Sequence, residues 1–335
     1  MSTPGEALEI APGVWRIDTP LGDRYASIYA LVGPDAVLVY DTGVDGTIPA
    51  WVVPALDRAG IAPGRVRTVV VSHCDVDHFG GIADAREQFP HARIVAGESD
   101  IPLIEDFDRY LAGRAEEFVA DFGWHEDPEV LQWCRAVVRE ASVDDAAVDG
   151  ELVPLGDDRT AIIRAVPGHS LGHLAVVAPW ANAVLVGDAV LGSSVNLADG
   201  TPAFPPTYRH VDPYLATIAT LRRTGADHLL TAHYPAMSGA AVERFLAESE
   251  AFVDRLDGLV RAELARSPEG LTLGELLVRL GPVAGNWPAE GTQGALAFPV
   301  VGHLERLARL GRLERAGDRG GVPVWRATAS DGRFR

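Results

Sequence analysis

Between Ser72 and Gly81 the chain reads Ser-His-Cys-Asp-Val-Asp-His-Phe-Gly-Gly, and four of these side chains, His73, Asp75, Asp77 and His78, can bind a metal ion. Imidazole nitrogen together with carboxylate oxygen is the ligand mix that suits zinc, iron or manganese. A lone His-x-Asp reads as a polar loop. Two histidines and two aspartates packed this closely, with further candidates downstream, read as a metal site. Cys74 lies inside the cluster, but strand alternation points it away from its neighbours, so it is expected to pack and not to ligate.

The elements around the cluster must present it. Residues 67–72 are β-branched and read as a buried strand, which places the cluster at a strand exit. While the chain stays extended, its period of two sets His73, Asp75 and Asp77 on one side. The turn at Gly80-Gly81 then brings His78 round and opens a helix over 82–89. Upstream, 13–17 and 26–32 read as strands with turns at 22–23 and 33–35, and 48–59 as a helix. Downstream, 92–96, 160–166, 174–177, 183–186 and 228–233 read as strands. Residues 211–224 form a helix headed by Asp212-Pro213, and 240–267 a long amphipathic one. Strands alternating with helices favour a layered α/β arrangement.

The cluster resembles the His-x-His-x-Asp-His signature of the metallo-β-lactamase-fold hydrolases, glyoxalase II-like and lactamase-like, with Asp75 where the second His is usual. The likeness runs over residues 10–237. Val37-Leu-Val-Tyr-Asp-Thr-Gly43 resembles the strand and turn before the signature, and Pro167-Gly-His-Ser-Leu-Gly-His173 resembles the third ligand loop, with His169. Val184-Leu-Val-Gly-Asp188 resembles the strand bearing a bridging aspartate, and Thr231-Ala-His-Tyr234 the loop bearing His233. The resemblance implies an α/β fold, an αββα sandwich, as a catalytic domain over 1–237. It implies two divalent ions: His73, Asp75 and His169 holding one, Asp77, His78 and His233 the other, and Asp188 bridging them. Zinc is the implied metal; Asp75 makes the set richer in oxygen, which moves preference towards iron or manganese.

The implied chemistry is attack of a metal-bound hydroxide on an ester, thioester or lactone carbonyl. Asp77 would also hold the nucleophile in line, and Tyr234 or Tyr208 would donate a hydrogen bond to the oxyanion. His173 is expected to orient its loop. Asp41 reads equally as a partner to a ligand histidine or as a turn-forming residue. With Asp75 in place of His, the two-ion core falls to formal neutrality, which weakens its pull on polyanions. A lactamase-like endoribonuclease or phosphodiesterase is the alternative. A diiron oxygen-chemistry enzyme is another, since flavodiiron proteins place a glutamate at that point, but no flavodoxin-like domain or flavin motif is visible. A non-enzymatic reading, a DNA-binding regulator with a vestigial site, sits badly with an intact ligand set.

The 335 residues suffice for a large domain and a small one. The composition, 47% apolar and 23% charged, is that of a soluble globular protein. No run spans a membrane, and the first residues lack a secretory pattern. Two cysteines argue against a disulfide framework, so a cytoplasmic home is expected. The formal charge of −18 disfavours general attraction to nucleic acid.

Residues 98–142 interrupt the pattern with helically spaced aromatics. They read as a lid or subunit contact, or as a helical pair packed on the sheet; His125 there is expected at the surface. Residues 191–212 form a loop in which Tyr208 and His210 are pocket candidates. After a connecting helix, 268–335 reads as a separate unit: helices at 270–280 and 300–310, then a hairpin over 311–326. That order resembles a winged helix. Its basic residues (His303, Arg306, Arg309, Arg312, Arg315, Arg319 and Arg326) make nucleic acid the less favoured partner, behind a small acyl substrate. A homo-oligomer is left open.

Overall fold

The computed structural model describes residues 4–328. One sheet runs in chain order through β1 (Ala7–Ala11), β2 (Val14–Leu21), β3 (Arg24–Val32), β4 (Val37–Tyr40), β5 (Val66–Val70), β6 (Arg93–Ala96) and β7 (Asp145–Ala146). β1 to β4 pair antiparallel and β4 to β7 parallel. The other sheet holds β8 (Leu152–Gly156), β9 (Arg159–Ala165), β10 (Leu174–Ala178) and β11 (Ala183–Gly187). A small ribbon follows, β12 (Val195–Asn196) with β13 (Pro202–Phe204). The sheet is then completed by β14 (His228–Thr231) and β15 (Met237–Ser238). β14 returns parallel to β11 through the helix Val211–Thr224, whose bounds match the expectation.

The period of two decides which core each side chain enters. In β4, Leu38 and Tyr40 face the other sheet, while Val37 and Val39 face the helices outside. The inter-sheet layer joins Tyr29, Leu31, Val70 and Val95 to Ile163, Val176, Leu185 and Leu230. Two buried tyrosines clasp the sheets: Tyr29 donates to Thr231 O at 2.6 Å and Tyr40 to Leu174 O at 2.7 Å. Helices Val53–Arg58 and Ile82–Gln88 cover one outer face, and Val211–Thr224 and Ala240–Ala265 the other. The order is helix, sheet, sheet, helix, the expected αββα sandwich. No helix among the described residues is long and apolar enough to cross a membrane.

The C-terminal segment keeps its expected order: helix Leu273–Ala284, helix Gln293–Arg309, then the hairpin of β16 (Leu313–Arg319) and β17 (Val322–Ala327). Its independence is not what the packing shows. A single apolar cluster runs from Val184 and Tyr214 of the sandwich through Leu256 of the long helix to Leu277, Val301 and Leu313. The boundary at 268 changes topology, not core. The hairpin also meets the insertion, with Trp325 stacked on Phe122 at 5.5 Å.

Five arginines in the described part of this segment are paired with carboxylates. Arg306 and Arg309 pair with Asp212, Arg315 with Asp318, Arg319 with Glu275 and Arg326 with Glu314. His303 is buried, its Nε2 2.9 Å from the Tyr208 hydroxyl. A phosphate backbone would have to displace these carboxylates first.

Deleting residues 268–335 would bare the apolar faces of Val211–Thr224 and Ala240–Ala265. The expected outcome is an aggregating chain, or one without cooperative urea unfolding and near-ultraviolet dichroism. A truncated protein with a sharp transition would show that the sandwich folds alone.

Candidate metal centre

β5 ends at Val70, earlier than its β-branched run suggests, and the residues that follow carry the cluster. Asp75 is extended (φ −85°, ψ 141°) and heads a helical turn, Val76–Phe79. Asp77 and His78 are therefore carried round by that turn, not by a continuing strand. Gly80 and Gly81 have no need of a left-handed backbone; they are small because backbone crowds them. A Cβ on Gly80 would lie 2.4 Å from Val76 O, and one on Gly81 2.5 Å from Thr42 O.

The β10–β11 sheet brings the distant candidates to the same place. His169 lies in the loop before β10, Asp188 directly after β11 and His233 just beyond β14. Three overlapping groups of donor atoms result: His73, Asp75 and His169; His73, His78 and Asp188; Asp77, His78 and His233. Each histidine is gripped at Nδ1, which frees Nε2 for the centre. Ser72 Oγ holds His73 at 2.9 Å, and Asp41 Oδ2 holds His78 at 2.9 Å. Tyr25 O holds His233 at 3.0 Å, and Thr207 Oγ1 lies 3.4 Å from His169.

Asp41 thus takes both of its readings at once. It is left-handed at φ 71°, as a turn residue, and it accepts from the Ser72 amide at 2.7 Å while holding His78. His173 behaves as expected: it stacks on His73 at 4.5 Å, and its Nε2 accepts from the Asp188 amide at 3.3 Å. Burial, reinforced by the neighbouring histidines, holds His173 neutral, well below its ordinary pKa. Cys74 is buried in the helix-side core, as expected.

Two contributors went unseen in the sequence. Asp100 ties the ligand loops together, accepting from Ser170 Oγ at 2.5 Å, Gly172 N at 2.9 Å and Cys74 N at 3.2 Å. Arg114, in the insertion, forks onto Asp75: Nε to Oδ1 at 2.7 Å and Nη2 to Oδ2 at 2.9 Å. An Asp without a motif and an Arg in an aromatic-rich insertion gave no signal beyond residue type. The expected neutral core omitted Arg114, whose charge offsets that of Asp75.

The two tyrosines expected at the oxyanion have their hydroxyls engaged elsewhere. The Tyr234 hydroxyl sits between the Leu191 and Ser194 carbonyls, sharing its one proton with them, and the Tyr208 hydroxyl meets His303. Both rings sit in the apolar cluster outside the cleft because each hydroxyl finds a buried partner there. His210 heads the helix Val211–Thr224, and His125 is exposed beside Glu116.

The centre opens on a cleft of about 590 Å³. Tyr110, Arg114 and Trp133 of the insertion line it, with Phe204 and, from the C-terminal segment, Phe298. The insertion is therefore a wall of the cleft.

The donor set fits a metal ion. His73 Nε2, His78 Nε2 and Asp188 Oδ1 are buried without a hydrogen-bond partner, a costly state unless a cation satisfies them. Burial opposes a charge on His78, yet Asp41, Asp77 and Asp188 raise its pKa to about 10. Around His78 the carboxylates therefore favour positive charge.

The sequence model of the metallo-beta-lactamase superfamily matches residues 21–233. A protein of Mycobacterium tuberculosis named as a probable metallo-hydrolase is 28% identical over 130 residues, 36% of this chain and 35% of that protein. The chain thus spans about a third of that relative's length. A metallo-beta-lactamase family protein of Thermus thermophilus superposes with a TM-score of 0.70 at 19% identity, covering 96% of this chain and 100% of that one. A beta-lactamase domain protein from Burkholderia ambifaria gives 0.74 at 20% identity, covering 98% and 95%. At such identities the two structures speak for the fold alone.

Asp41→Asn tolerates the left-handed backbone and removes the charge beside His78. Metal affinity should fall about 10- to 100-fold, read by competition with a chromophoric chelator. Unchanged affinity would leave Asp41 a turn residue only.

Proposed function

The chain belongs to the metallo-beta-lactamase superfamily, and on that premise we propose that it is a metal-dependent hydrolase of small acyl compounds: esters, thioesters or lactones. The observation that carries this reading is the donor cage of Asp77, His78, His233 and Asp188 at the floor of a cleft with apolar walls. His233 Nε2 lies 3.4 Å from both Asp77 Oδ2 and Asp188 Oδ2, and His78 Nε2 lies 3.8 and 3.7 Å from Asp77 Oδ1 and Asp188 Oδ2.

A divalent ion held there supplies an acidified water and a Lewis acid for the carbonyl oxygen. The chain supplies the rest. Asp77 spreads its two oxygens between His78 and His233, so a lone pair remains to take a hydrogen bond from the attacking water and aim it at the cleft. Asp41 and the Tyr25 carbonyl fix the imidazole planes, which removes reorganisation from the reaction. Trp133, Phe204 and Phe298 offer apolar surface on which an acyl chain can sit.

The acyl reading is supported against a phosphodiester by charge. Asp23, Asp75, Asp77, Glu126 and Asp188 face the cleft, against Arg24 and an Arg114 already paired with Asp75. Zinc, iron and manganese all suit the donor set.

Metal-loaded protein should hydrolyse at least one member of a panel of p-nitrophenyl esters, acyl thioesters and lactones. Chelation should abolish turnover, and Asp188→Ala should lower kcat/KM by more than about 100-fold. Tyr234→Phe should keep kcat. Silence across the whole acyl panel with metal bound would end the proposal, and cleavage of RNA instead would replace it.

A further inference from the structure

The two trios at the centre look alike as residue types, but their atoms are spaced for different partners. Two ligands each about 2.1 Å from a tetrahedral ion lie about 3.4 Å apart. His233 keeps that spacing from both Asp77 and Asp188, at 3.4 Å. In the other trio His73 Nε2 also lies 3.5 Å from Asp75 Oδ2, but His169 Nε2 closes on that same oxygen at 2.8 Å, the length of a hydrogen bond.

Arg114 accounts for the difference. Its guanidinium forks onto both Asp75 oxygens and places Nη2 3.1 Å from His169 Nε2, while Nη1 donates to His169 O at 3.3 Å. The side chain is buried and lies over the Phe298 ring at 4.4 Å, so packing fixes it from the far side. Nearby, Arg209 joins Glu117 of the insertion to Glu305 of the C-terminal segment. A second ion would bring two positive charges to donors that a buried cation already occupies. Of the buried atoms without a partner, His78 Nε2 and Asp188 Oδ1 belong to the cage around His233, and His73 Nε2 borders it; none belongs to Asp75 or His169.

We propose that this chain holds one metal ion and not two: the ion lies among Asp77, His78, His233 and Asp188. The Arg114 guanidinium, locked to Asp75 and His169, supplies the fixed positive charge that a second ion would bring. Arg114 is then a positioning residue for the first trio and part of the electrostatic floor of the cleft. The inference rests on the metal-dependent reading above, but its test counts ions and needs no substrate.

Full-length protein is loaded with excess Mn²⁺ or Zn²⁺, desalted and assayed by inductively coupled plasma mass spectrometry. Mn²⁺ electron paramagnetic resonance runs in parallel. Wild type should retain about one ion per chain and show the six-line signal of isolated Mn²⁺. Asp75→Asn should also retain about one, because Asp75 is not a ligand, whereas Asp77→Ala should lose it. Arg114→Gln should rise towards two as Asp75 and His169 become free to ligate. Two ions in wild type with an exchange-coupled spectrum, or loss of an ion in Asp75→Asn, would overturn the inference and leave the hydrolase reading standing. No retained ion in wild type would overturn both. Wild type and Asp75→Asn decide the matter even if Arg114→Gln fails to fold.

Discussion

A carboxylate or imidazole taken out of water must find a partner, and the seam between the two sheets is shaped by that requirement. Asp41 is answered by His78 and the Ser72 amide, Asp100 by Ser170, Gly172 and Cys74, and Asp75 by Arg114. Asp77, Asp188 and the Nε2 atoms of His78 and His233 face one another instead, 3.4 to 3.8 Å apart, longer than a usual hydrogen bond. The difference between answered and unanswered groups separates scaffold from centre. It also makes the centre stiff, because each imidazole is fixed at its far nitrogen by a group that the sheets or their loops hold.

That stiffness depends on parts of the chain far from the signature. The loop bearing His169 is pinned through Ser170 and Gly172 to Asp100, which begins the insertion. The insertion supplies Arg114 and much of the cleft wall, and it is held in turn by aromatic contact with the C-terminal segment, Phe118 against Phe298 and Phe122 against Trp325. A segment that reads as an appended unit thus sets the position of a guanidinium at the centre. The same packing engages arginines of the described part of the segment: Arg306 ties it to Asp212, Arg319 ties the hairpin to Glu275 of the segment's own first helix, and Arg326 braces the hairpin upon itself.

The sequence alone determined a layered α/β order and the donor cluster at 73–78, because β-branched runs and closely spaced His and Asp are local patterns; the sandwich and the downstream ligand candidates came from resemblance of its motifs to a known family. Only the tertiary structure decided what those donors meet. Tyr208 and Tyr234 stand next to site loops in sequence, but each hydroxyl is claimed by a buried partner from a distant element. Arg114 sits 39 residues from Asp75, in a segment without a motif, and reaches it through packing. A ligand's type is written in one residue. Whether a proton, a guanidinium or a metal ion answers it depends on which side chains the fold brings within about 3 Å, a distance set by long-range contacts that no local pattern encodes.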